Sequence, residues 1–126
     1  MQAVMKPILL ANAVEAAATS LLLILSPSLF AGLVLGAQLP EAGETLGRLG
    51  GMGLLSFALT CWPTAAPAEP TPIIRAFVFY HLMASVFLAY LGIGGRFVGV
   101  LLWPAFMIHA TFEVLLLRHW LVAKSE

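Results

Sequence analysis

The sequence predicts an all-α integral membrane protein: a four-helix, up-down-up-down bundle with a short interfacial or re-entrant helix after the first span. Three observations predict it. The chain has 126 residues, is 61% hydrophobic and only 10% charged, with a mean hydropathy of +1.00. A soluble domain carries about a quarter charged residues, and a chain this short cannot hide so much apolar surface from water. The apolar residues also gather into four segments, each near the ~20 residues that a spanning helix needs, the second being the shortest. Finally, the breaks between segments are short or rich in proline and glycine, which favours adjacent, antiparallel helices in one domain, residues 1–126.

The first segment, residues 7–25, begins with Pro7, which suits a first helical turn because its missing N–H costs nothing there. It is long, holds Glu15 and lacks a small-x-small site before a polar domain, so it reads as a retained helix rather than a cleaved signal. Ser26-Pro27 can cap and start a new helix, and Pro27–Gly36 is too short to span. The alternative is one long first helix kinked at Pro27. Ala37–Thr45 is a polar loop. The second span covers residues 46–62. The segment PTAAPAEPTP, with four prolines, cannot be helical throughout. The third span covers 73–92. Gly92–Arg96 is a tight turn, and the fourth span covers 97–118, with Trp103-Pro104 suggesting a kink that opens space near His109. Trp62 and Trp120 fall where a membrane belt places aromatics, and Phe77, Phe79 and Tyr80 read as lipid-facing packing.

Composition also excludes function classes. Net charge is zero, so there is no basic footprint for nucleic acid. The single cysteine, Cys61, excludes an intramolecular disulfide and a cysteine-based zinc site. The serines lack a nucleophile-elbow context and Cys61 has no adjacent base in sequence, so nucleophilic catalysis has little support.

What remains is a set of polar residues inside apolar segments. Glu15 is the only charge within residues 7–25, and a carboxylate at that depth costs several kcal/mol unless protonated, paired or wet. At 1.5 Å per helical residue, Glu15 and His81 both lie ~12 Å from the cytoplasmic boundary, Glu113 ~8 Å and His109 ~14 Å. His109 and Glu113 are spaced i, i+4 and share a helix face. Asn12, Glu15 and Thr19 form one stripe, and His81 and Ser85 another. Tyr80 is adjacent in depth but turned about 100° away. Buried polar groups pair with one another inside a bundle, so Glu15, His81, His109 and Glu113 are expected to converge. The cluster serves either as interhelical glue or as a ligand or proton site. Two His and two Glu could hold zinc or iron, but the di-iron signature Glu-x-x-His is replaced here by His-x-x-x-Glu, so no metal and no other cofactor is expected. Arg48 can snorkel, bind an anionic head group, or pair with Glu41 or Glu44. Gly47 and Gly51, at i and i+4, mark a close helix crossing.

The apolar first helix, RLGGMGLLSFAL at Arg48–Leu59, FYHLMAS at Phe79–Ser85 and HATF at His109–Phe112 together resemble the small four-helix bacterial membrane proteins of the DoxX-like type. That resemblance implies a fold rather than an activity. Val14-Glu15 with Thr19 is also similar to the first helix of small multidrug resistance transporters, and the buried His and Glu residues invite comparison with four-helix sterol-isomerase-like membrane proteins.

The leading function is therefore a structural or accessory membrane subunit, or a lipophilic-ligand-binding protein, whose partners are membrane lipid, a lipophilic small molecule, and further copies or a larger membrane complex. The alternatives are a membrane enzyme doing acid-base chemistry on an apolar substrate, with Glu15 or Glu113 moving protons, and a proton-coupled transporter of small amphiphiles. Lys6, Arg75, Arg118 and Lys124 flank one end of the spans, against Arg48 and Arg96 at the other. The positive-inside rule then puts both termini in the cytoplasm of a multi-pass inner-membrane protein. Reporter fusions at each terminus should read cytoplasmic; a terminus labelled from outside by an impermeant reagent contradicts this orientation.

Overall fold

The computed structural model describes residues 2–60, 62 and 71–123. Cys61, most of the proline-rich segment and Lys124 lie outside the described residues. The described chain is all-α: α1 (Gln2–Leu25), α2 (Pro27–Val34), α3 (Glu41–Thr60), α4 (Thr71–Ile93) and α5 (Leu102–Ala123). Three of these contain stretches long and apolar enough to cross a membrane: Lys6–Leu25, Pro72–Ile93 and Leu102–Val122. Four were expected. The shortfall is α3, whose sequence EAGETLGRLGGMGLLSFALT holds three charges and five glycines.

Element boundaries follow local chemistry. Gln2, Ala3, Met5 and Lys6 are helix-compatible residues, so α1 starts before Pro7, which lies inside the helix rather than in its first turn. Ser26 breaks the chain at φ −149°, ψ 75°, and Pro27 opens α2 at its first position. The short helix is thus separate from α1, and the kinked single helix is not formed. Ser26 contributes its backbone carbonyl to Leu29 and Phe30 N–H at 3.1 and 3.2 Å, but no side-chain cap. α2 ends at Val34, and Gly36 two residues on, with φ of +67°, reverses the chain in a conformation open to glycine. α3 begins at Glu41, not at Leu46, because Glu41 and Glu44 sit favourably against the positive end of the helix dipole. Only the first part of the expected Ala37–Thr45 loop is irregular.

The largest displacement from expectation is at the last helix. Residues 97–101 are not helical. Their backbone instead caps the end of α2: Val98 N–H donates to Leu35 C=O at 3.2 Å and Leu101 N–H to Leu33 C=O at 2.8 Å. This satisfies carbonyls that a helix end leaves without intrahelical partners. Gly99 permits the approach, since a Cβ there would stand 2.2 Å from the Val34 carbonyl carbon. α5 therefore starts at Leu102, and Pro104 falls in its first turn, where proline replaces no hydrogen bond. At that position Pro104 removes no helical hydrogen bond, the usual cause of a proline kink.

Two antiparallel pairs dominate the packing. α3 runs antiparallel to α1: Gly47 lies against Pro27, just past the end of α1, Gly51 against Ser20, Leu23 and Ile24, and Phe57 against the core that holds Leu9 and Ala13, so numbers rise along one helix as they fall along the other. In α4 and α5, Gly92 meets Leu102 and Trp103, and Arg75 lies over the Trp120 ring at 5.8 Å. The pairs join through Leu9, Ala13, Ile74, Phe77 and Leu116, with Phe57, Tyr80 and Trp120 packed around them. Phe77 is fully buried and stacks on Phe57 at 4.2 Å, which corrects the lipid-facing assignment for Phe77; Phe79, 65% exposed, does face outward. Trp120 packs on this core too, rather than standing free at the rim. The outward faces carry Val14, Leu21, Val86, Phe87, Val114 and Leu121.

The glycine crossing yields a direct test. A Cβ at Gly51 would meet Ile24 Cγ1, Leu23 Cβ and Ser20 O, each at 2.9 Å, whereas one at Gly53 would meet nothing within 4 Å. Gly51→Ala should cost about 1–3 kcal/mol through overpacking. Gly53→Ala should be neutral or gain up to ~1 kcal/mol in helix propensity. Thermal melts of the two variants check this, and equal midpoints would contradict the crossing.

Candidate functional site

The seam between the two helix pairs holds a group of buried polar side chains. Asn12 and His81 are 0% exposed and His109 is 8% exposed. They come from α1, α4 and α5, and each faces inward with apolar residues one turn away on the same face: Leu9 and Ala16 beside Asn12, Phe77 and Ala84 beside His81, Ala105 and Phe112 beside His109.

Their hydrogen bonds fix a direction. Asn12 Nδ2–H donates to the Ile8 carbonyl one turn back, at 2.8 Å. A carbonyl only accepts, so this bond sets the amide orientation and turns Oδ1 toward His81. His81 Nε2 lies 2.5 Å from Asn12 Oδ1 and must donate to it. In uncharged His81 the other nitrogen, Nδ1, then carries a lone pair. It lies 2.8 Å from His109 Nδ1, which must therefore be the donor. His109 is left with a bare lone pair on Nε2. Donation runs one way, from α5 through α4 to α1, and the open end of the network is an acceptor. An added proton would find its free lone pair on His109 Nε2.

Aromatic rings enclose the pair. Tyr80 stands edge-on to His81 at 5.0 Å and to His109 at 5.5 Å. Phe77 lies nearly parallel to the His81 ring at 5.9 Å, and Phe112 is tilted beside it at 5.1 Å. Tyr80 was expected to point away from the histidines; its ring is large enough to lean back over both. Phe112 was not singled out in sequence, although its i+3 spacing from His109 puts both on one face.

The carboxylates take other places. Glu15 Oε1 accepts from Thr19 Oγ1 at 3.1 Å, and its carboxylate lies within electrostatic reach of Tyr80. Glu15 Oε2 and Glu113 Oε2 are enclosed without a partner among the described residues, as is Ser85 Oγ one turn beyond His81. Neither glutamate hydrogen-bonds to a histidine among those residues. The expected Glu15–His81–His109–Glu113 network is therefore replaced by Asn12–His81–His109. The physical reason is reach: Asn12 and His81 are both fully buried at the seam, while Glu15 and Glu113 are only partly buried on the flanks of their helices. Arg48 pairs with Glu44, at 3.4 Å across one turn, and Glu44 also accepts from Ser28 Oγ, tying α2 to α3. Of the roles considered for Arg48, the structure supplies the ion pair. Ser28 was missed because a serine outside the apolar spans carries no signal of its own. No group of three or more His, Cys, Asp or Glu side chains among the described residues is arranged to hold a metal ion.

No protein-family model, no curated protein and no solved structure matches this chain.

The hydrogen-bond polarity predicts unequal histidines. With ¹⁵N-labelled histidine, His81 should show the Nε2–H tautomer and His109 the Nδ1–H tautomer at a pH where both are neutral. Nitrogen chemical shifts, assigned with single His→Gln variants, check this. Two Nε2–H histidines would contradict the network.

Proposed function

We propose that the chain is a small multi-pass protein of a cell inner membrane, in which α1, α3, α4 and α5 all cross as an up-down-up-down bundle with both termini cytoplasmic. α2 then lies at the outer interface. Support comes from the three apolar spans and the inside-out surface, where large apolar side chains face outward while Asn12, His81 and His109 face inward. Lipid is the environment in which that distribution is favourable. α3, less apolar than the others, crosses because α1 packs closely on it at Gly51 and the start of α2 at Gly47, and because its charges stay in its first turns, at the outer end.

The function best supported is non-catalytic: an accessory or binding subunit that holds a lipophilic molecule against the buried network. One observation carries this reading. The Asn12–His81–His109 chain is closed at one end by a backbone carbonyl and open at the other by a single unpaired acceptor. Such a network holds helices together and can hold a ligand, but the carboxylates that acid-base turnover would need stand apart from it.

Membranes of cells producing the chain should retain it after an alkaline carbonate wash, and release into the supernatant would overturn the membrane reading. In a Cys61→Ser background, Gln38→Cys should react with an impermeant maleimide added outside, and Arg75→Cys should not; the reverse pattern would overturn the topology. Glu15→Gln separates the functional readings. It should leave cellular function and thermal stability near wild type, whereas loss of function with unchanged stability would favour the proton-coupled transporter instead.

A further inference from the structure

The open end of the network has a definite chemical preference. We infer that His109 Nε2 receives the hydroxyl of an uncharged lipophilic alcohol or phenol. This deepens the binding reading above and rests on it.

The argument is one of complementarity at a single atom. His109 spends its one N–H on His81, so in the uncharged network it offers an incoming molecule only a lone pair. A ketone, ester or ether brings only acceptors and would face that lone pair without a hydrogen bond. A carboxylate or phosphate brings negative charge and acceptors together, and is rejected more strongly. A hydroxyl supplies the missing donor and remains uncharged. It therefore avoids the cost of bringing an ion into an apolar setting.

Reachability separates His109 Nε2 from three other vacant acceptors. Glu15 Oε2, Glu113 Oε2 and Ser85 Oγ are fully enclosed by surrounding atoms, whereas His109 Nε2, which also makes no hydrogen bond, is not. The imidazole itself is held rigidly. His81 fixes its Nδ1 at 2.8 Å and the Tyr80 ring stands across it at 81°. Ala105, Phe106 and Phe112, one turn away on the same face of α5, are apolar and partly buried, offering a surface for the hydrocarbon part of such a ligand. A buried polar group built to hydrogen-bond a ligand hydroxyl discriminates strongly against the analogue lacking it, because the group is then left unpaired.

The test compares 1-dodecanol with its methyl ether on the purified full chain in lipid nanodiscs, with two readouts. By ¹⁵N NMR, dodecanol should move the His109 Nε2 resonance in the direction of an accepted hydrogen bond, and the ether should leave it in place. In thermal melts, dodecanol should raise the midpoint more than the ether does, and His109→Phe should erase that difference. If His109→Phe does not fold, the wild-type NMR comparison decides alone. Equal stabilisation by alcohol and ether with no movement of His109 would overturn this inference while leaving lipophile binding intact. No response to either molecule would overturn both the inference and the binding reading.

Discussion

The hydrogen bond between Asn12 and His81 is the constraint on which the rest of the site depends. The molecule is built from two tightly packed antiparallel pairs, α1 with α3 and α4 with α5, and this bond crosses between them at 2.5 Å. Its direction is imposed from below by the Ile8 carbonyl, a group that can only accept. Everything further along inherits that direction: the tautomer of His81, the donor role of His109 and the bare nitrogen at the end. A neutral amide at position 12 is what makes this possible. A carboxylate there would accept from His81 but would face the Ile8 carbonyl as a second acceptor, and the orientation would be lost.

Close backbone approach supplies the second constraint. Gly51 lets α3 lie against Ser20–Ile24 of α1, and Gly99 lets the chain before α5 cap the carbonyls of α2. The second contact explains why α5 begins late. The backbone of residues 97–101 is spent on Leu33 and Leu35 rather than on helix. It also ties α2 to the start of α5, while the Ser28–Glu44–Arg48 chain ties it to α3. The short helix is thus anchored on two sides, at the end of the molecule opposite the Leu9–Phe77–Leu116 core.

Much of this was legible in the sequence, and the reasons for the rest are physical. Apolar runs and proline punctuation revealed all five helices, because hydropathy and proline act locally. The close approach at Gly47 and Gly51 was legible because small residues at i, i+4 commonly admit another helix, although the two glycines meet α2 and α1 respectively rather than one helix. Depth matching brought His81 and His109 together correctly, and Asn12 belonged to the stripe that faces them. It could not separate Asn12 from Glu15, because three residues along a helix change the facing angle by 60° while barely changing depth. Glu15 and Glu113 stand out in the sequence more than Asn12 does, because a charge in an apolar run is conspicuous and an amide is not. The start of α5 was hidden because the competing partner, the end of α2, lies more than sixty residues away in sequence. The burial of Phe77 is not legible in the sequence, because nothing local to an aromatic residue says which face of an apolar helix is the inner one.

A double-mutant cycle on Asn12 and His81 tests the central claim most directly. Asn12→Leu, His81→Leu and the double variant would be compared with wild type for unfolding free energy in one lipid environment. Intramembrane polar contacts contribute ~0.6–2 kcal/mol, and a coupling energy in that range is expected here. Each single variant should be less stable than wild type, since it leaves one buried group of the pair without its partner. The double variant should recover part of that loss. Strictly additive effects, with no coupling between the two positions, would show that the bond does not join the two helix pairs and would remove the basis for the direction of the network.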